Sequence, residues 1–239
     1  MKKFLTVLSL STALMSALSI TQAADLSPKQ SSIVSIAAQT ASGDLEKLRM
    51  ELIKGLEAGL TVNEIKEILV QLYAYTGFPR SLNGINTFMK VIDERTKAGI
   101  KDPVGKEASP LPANLDKNAY GARMRAELGG RKEIPPAADY QLFAPAIDTF
   151  LKEHLFCDIF IRDNLDRQSR ELATIGALAA MTGTQGQLLF HMNAAMNTGT
   201  DENQMKQFAT VIGQQISPTQ QTEAQIVLDR VIKQRADKR

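Results

Sequence analysis

The sequence predicts an all-α protein made of two copies of one helical unit. Three observations carry this. Helix start and stop signals recur along the chain, and apolar residues fall at helical spacing with no convincing alternating strand. Residues 26–92 also resemble residues 165–232 in register.

The elements follow in order. Ser27-Pro28 offers an N-cap with proline at the first helical position, and that helix stops at Gly43. Asp44 opens a second helix, with Leu45, Leu48, Leu52 and Leu56 on one stripe, stopped by Gly59. Thr61-x-x-Glu64 forms a capping box before Ile65, Ile68, Leu69 and Leu72. Gly77 ends that helix and Pro79 starts another that runs to Gly99. Residues 100–140 hold five prolines and read as a connector wrapped around one short helix, Lys117 to Leu128, stopped by Gly129-Gly130. A further helix is expected from Tyr140 to Phe160. Asp166 then caps a helix ending near Gly183, Thr184 opens the next up to Gly199, Asp201-x-x-Gln204 resembles a capping box, and Ser217-Pro218 starts the last helix. The organisation expected is 1–23 leader, 24–99 first unit, 100–140 connector and 141–239 second unit.

The leader is read from Lys2 and Lys3, an apolar and small-residue stretch from Phe4 to Ile20, and Thr21-Gln22-Ala23 as a small-x-small cleavage signal. Serines and threonines interrupt the apolar stretch, which argues against a retained anchor. The expectation is a periplasmic or secreted protein, cleaved after Ala23 and free of the membrane thereafter. Cleavage removes two lysines and no acids, so the formal charge falls from +2 to zero. With no Trp and few aromatic residues, the chain has neither a basic footprint nor a stacking platform for nucleic acid. Its one cysteine, Cys157, excludes an intramolecular disulfide. The two histidines and scattered carboxylates show no metal spacing, so no metal is predicted.

The register of the repeat pairs Leu26 with Leu165, Ile36 with Ile175, Ala38 with Ala177 and Ala41 with Ala180. After a one-residue slip it pairs Gly43 with Gly183, Leu48 with Leu188, Gly59 with Gly199, Lys66 with Lys206 and Val91 with Val231. The mismatches are more informative. The second copy has Glu171 and His191 where the first has Ser32 and Glu51. The first has Tyr75-Thr76-Gly77-Phe78-Pro79 where the second has an unrelated Gln-Gln-Ile-Ser-Pro run. Copies that diverge in this way point to one composite site per chain.

Two stretches resemble the carboxymuconolactone decarboxylase family. Residues 165–200 hold Leu165-Asp166-Arg167-x-x-Arg170, an apolar helix, Leu188-x-x-His191 and an Asn197-x-Gly199 turn. Residues 56–83 hold Gly59-x-Thr61-x-x-Glu64-Ile65-x-Glu67 and Tyr75-x-Gly77-x-Pro79. The resemblance implies the all-helical alkylhydroperoxidase D-like fold. It also implies ring assembly, which for two fused units means a homotrimer acting as a pseudo-hexamer. One departure matters. Members with peroxidase activity place Cys-x-x-Cys between the glutamate and the histidine, where this chain has Thr184 and Gln187. Thiol peroxidase chemistry needs a low-pKa thiolate and a resolving thiol, so the sequence argues against it.

The candidate site residues each have a plainer reading. His191 has the intrinsic pKa of a general acid for protonating carbon as carbon dioxide leaves, or it is a buried histidine bonded to a neighbour. Glu171 orients His191 or is a solvated carboxylate. Arg167 and Arg170 suit bidentate carboxylate binding, yet a structural salt bridge across a copy or subunit boundary is expected for at least one. Tyr75 points its hydroxyl into a pocket or only precedes a helix stop. Arg80 and Asn83 are weaker candidates. Cys157 reads as packing, with a Cys157–His154 pair as the alternative. The function expected is cofactor-free decarboxylation, or related acid–base chemistry, on a small carboxylated lactone or organic acid. The alternative is a ligand-binding or assembly module that kept the fold without the chemistry.

Overall fold

A computed structural model describes residues 25–237. The elements are α1 (Pro28–Ser42), α2 (Leu45–Glu57), α3 (Val62–Thr76), α4 (Phe78–Lys97), α5 (Lys117–Leu128), α6 (Asp139–Phe143), α7 (Pro145–Thr149), a π-helix (Phe150–Ile159), α8 (Arg167–Ala180), α9 (Gln185–Asn197), α10 (Glu202–Gln215) and α11 (Pro218–Ala236). No strand occurs among the described residues. The expected leader lies outside them.

The caps read from the sequence form the hydrogen bonds their chemistry calls for. Ser27 with Gln30, Thr61 with Glu64, and Asp201 with Gln204 are reciprocal capping boxes, while Asp44 and Asp166 accept from Lys47 N and Ser169 N. Gly43 ends α1 at φ 80°, a conformation open to glycine without penalty.

α1 and α8 are the central pair. Every residue from Ser32 to Ala41 and from Ser169 to Ala179 is buried, as expected of helices whose apolar and small residues cover all faces. They approach so closely that a Cβ on Gly176 would stand 2.8 Å from the Val34 carbonyl oxygen. α2–α4 and α9–α11 pack around this pair, and one continuous core joins residues of both four-helix segments. A second, smaller core lies between α5, the π-helix and α9, around Met124, Leu128, Leu155, Phe156, Ile159, Phe160 and Ala194.

The connector packs onto the surface, as expected from its length. Pro103 and Val104 carbonyls accept the first amides of α3 from Val62 and Asn63, groups that a helix start leaves unpaired. Arg95 holds Asp102 by a bidentate pair at 2.8 and 2.7 Å.

Two expectations are corrected. The single helix from Tyr140 to Phe160 is three pieces. Pro145 cannot continue α6, and Ala144 before it is pushed out of the helical region to φ −131°, ψ 75°. The helix capped by Asp166 ends at Ala180, short of Gly183. Thr184 opens α9 as expected, its carbonyl accepting from Leu188 N, while its hydroxyl turns back to donate to the Leu178 carbonyl at 2.7 Å and ties off α8.

Candidate functional site

The site forms where α3 of the first segment meets α8 and α9 of the second. Glu67, Gln71 and Tyr75 recur every four residues and therefore share one face of α3. Opposite them α8 presents Arg170, Glu171 and Thr174.

At one end is an ion-pair network. Arg170 is fully buried and donates to Glu67 Oε1 at 2.8 Å, to the Arg162 carbonyl at 2.7 Å and to Gln71 Oε1 at 3.0 Å. Glu67 also accepts from Arg162 Nε at 2.8 and 3.0 Å and from Asn164 at 3.1 Å. Burial pushes the Glu67 carboxyl up, but the Arg162 hydrogen bonds and the charge of Arg170 outweigh it and hold the group below its ordinary value. Gln71 continues the line, donating to the Arg170 carbonyl and to Thr174 Oγ1, both at 2.9 Å.

At the other end is an acid–base pair. His191 Nδ1 lies 2.8 Å from Glu171 Oε2, with the imidazole almost sealed and the carboxylate fully buried. Two aromatic rings meet the imidazole edge-on: Tyr75 at 5.4 Å and 83°, and Phe190 at 5.1 Å and 89°. The Tyr75 hydroxyl and Glu171 Oε1 are buried without a hydrogen-bond partner. Desolvation, and then the charge of Glu171, push the Tyr75 phenol far above its ordinary value, against weaker pulls from Thr174 and Arg170. The phenol therefore stays protonated and remains a donor. Buried polar atoms are rarely left unpaired, and here two lie beside a histidine.

Six of the residues singled out from the sequence separate into distinct roles. His191, Glu171 and Tyr75 come together, from both segments. Arg170 is their neighbour, but its guanidinium is committed to Glu67 and Gln71, a structural salt bridge between α3 and α8. Arg167 is on the surface, 3.2 Å from Glu127 of α5. Arg80 donates to the Ala41 carbonyl in the last turn of α1, a helix-end contact and not a partner of the imidazole. Glu67, Gln71, Thr174 and Phe190 were given no role from the sequence. The four-residue spacing along α3 was visible, but nothing in it named α8 as the facing helix.

The first segment has no equivalent site. Glu51, the counterpart of His191, pairs with Lys54 at 2.7 Å. Cys157 is buried in the π-helix, where burial pushes the thiol up. No group of three or more metal-ligating side chains is gathered among the described residues.

The described residues form an all-helical protein with a buried carboxylate–imidazole pair beside a phenol at its core. Residues 8–87 match the model of the carboxymuconolactone decarboxylase family. The matched stretch runs through α1–α3 into α4; residues 165–200, which hold Glu171 and His191, lie outside it. No curated protein matches the sequence.

Proposed function

We propose that the chain is a cofactor-free acid–base enzyme of the carboxymuconolactone decarboxylase type, acting on a small carboxylated lactone or related organic acid. The observation that supports this reading most is the Glu171–His191 pair beside the unpartnered hydroxyl of Tyr75. Glu171 fixes the tautomer by accepting the hydrogen bond from Nδ1–H, which leaves Nε2 for the substrate. As the carboxylate leaves as carbon dioxide, the bonding electrons pass towards the substrate carbonyl. Tyr75, held protonated, donates to the oxygen on which charge develops. Nε2 takes a proton from solvent, delivers it to carbon, and is recharged from solvent for the next turnover.

Three further parts of the reading rest on sequence. The two four-helix segments are copies of one unit. Their matched helix lengths support this: 15, 13, 15 and 20 residues against 14, 13, 14 and 19. The protein is exported after cleavage at Ala23. The working assembly is a homotrimer.

A second reading is a ligand-binding or assembly module, favoured by how nearly sealed His191 is, at 5% exposure. Two variants separate the readings. On the enzyme reading, His191→Ala lowers turnover of carboxylated lactones by about 10²–10⁴-fold, and Tyr75→Phe also lowers turnover while leaving the thermal midpoint unchanged or higher, because it deletes an unpaired buried hydroxyl. Unchanged rates in both variants, with only His191→Ala losing stability, would leave the module reading standing.

A further inference from the structure

A cavity of about 350 Å³ opens between α5, the loop after it, α6–α7 and the π-helix, and its lining divides sharply in chemistry. Arg125, Arg131 and Lys152 supply three cations against the single carboxylate of Asp148, a surplus of two positive charges. Ala122, Ala126, Ile134, Pro135 and Phe190 supply an apolar wall.

Two of the cations, Lys152 and Arg125, are held in place before any ligand arrives. Lys152 pairs with Asp148 at 2.7 Å, and Arg125 reaches the other oxygen of the same carboxylate at 3.6 Å. Arg125 also donates to the Tyr140 hydroxyl at 2.6 Å and lies over its ring. Gln141 donates to Asp148 as well. Burial pushes the Asp148 carboxyl up, but Lys152, Gln141 and Arg125 outweigh this and keep it ionised. One carboxylate shared between two cations leaves both with unspent donors, and Arg131 stands exposed at the rim. Fixed donors lose little freedom on binding.

We propose that this cavity is a binding site for a small organic carboxylate with an apolar body. Charge selects the carboxylate, since guanidinium and ammonium donors form charge-assisted hydrogen bonds with it. The alanines, Ile134 and Phe190 take the hydrocarbon part. All of the named lining except Phe190 belongs to the segment between the four-helix units, and none of it is Glu171, His191 or Tyr75, so the site does not depend on the acid–base reading of His191. The two are nonetheless adjacent, because the Phe190 ring that walls the cavity also packs edge-on against the imidazole. If that reading holds, this cavity is where its substrate class is selected.

The test is calorimetric titration of the full chain with benzoate and, as an uncharged control, benzamide, at fixed ionic strength. Benzoate binds saturably and benzamide at least about 10-fold more weakly, the ratio expected from one lost charge-assisted contact. Arg131→Gln, at an exposed position that leaves the packing alone, weakens benzoate by about 10-fold, and adding Lys152→Gln weakens it further. His191→Gln leaves benzoate affinity unchanged, so failure of the acid–base reading would not disturb this result. No saturation at roughly 10 mM benzoate, equal affinity for benzamide, or an affinity indifferent to Arg131→Gln would each overturn the proposal. So would loss of binding in His191→Gln alone, which would place the ligand at the imidazole.

Discussion

Arg170 and Glu67 show how local chemistry divides a site. A charge buried as fully as Arg170 is tolerated only with a matched partner and further hydrogen bonds, and Glu67, Gln71 and the Arg162 carbonyl provide them. Glu67→Gln leaves that guanidinium without its counter-charge, and a loss of about 3–5 kcal/mol is expected in urea unfolding at neutral pH. The same pair sets an acid limit. The Glu67 carboxyl is held below 4.5 in the folded chain, so the folded state binds the proton more weakly than the unfolded one. Its contribution is complete above about 4.5 and is lost as the pH falls through the folded value. Unfolding free energy should therefore fall steadily from pH 4.5 downward, more steeply in wild type than in Glu67→Gln. Equal slopes would mean that another carboxylate controls acid stability.

At the scale of elements, the crossing of α1 and α8 sets the geometry on which the site depends. Gly176 permits it, because an added Cβ would meet the Val34 carbonyl oxygen at 2.8 Å and Ala37 Cβ at 3.2 Å. Gly176→Ala gains about 1 kcal/mol of helix propensity. Overpacking against a backbone that cannot swing aside costs about 1–3 kcal/mol, so the variant should be less stable on balance. Gly186, in the first turn of α9, has nothing within 4 Å of its Cβ position. Gly186→Ala should raise stability by about 0.4–1 kcal/mol. Urea unfolding of both variants checks the pair, and destabilisation of equal size in both would remove the crossing from the explanation.

For the whole molecule, the outer face of α4 decides what the surface can do. Phe78, Leu82, Ile85 and Met89 follow a helical stripe, and Phe78, Leu82 and Met89 are 63, 53 and 64% exposed. The inner stripe of the same helix, Ser81, Gly84, Phe88 and Val91, is already buried. The corresponding positions of α11 are Pro218, Thr222, Gln225 and Asp229, so only one of the two segments has this second apolar face. Covering it with another copy of the chain is what the proposed homotrimer requires. Light scattering of the mature protein should give three chains per particle, and Leu82→Asp with Met89→Asp should shift it towards one. A wild type that stays monomeric at micromolar concentration would exclude the trimer.

The sequence by itself determined the helical class and most helix limits, because caps, glycine stops and apolar spacing are local and act wherever the chain goes. It also singled out His191, Glu171 and Tyr75, since each differs from its counterpart in the other segment. It misjudged the stretch from Tyr140 to Phe160, where Pro145 outweighs an apolar pattern that reads as one helix. Only the tertiary structure decided which polar residues meet. Glu67, Gln71 and Thr174 gain their roles from α3 facing α8, about a hundred residues apart in the chain. Arg170 passed from candidate ligand contact to structural ion pair for the same reason: a guanidinium's role is set by whatever carboxylate the fold brings within 3 Å, and no spacing along the chain records that.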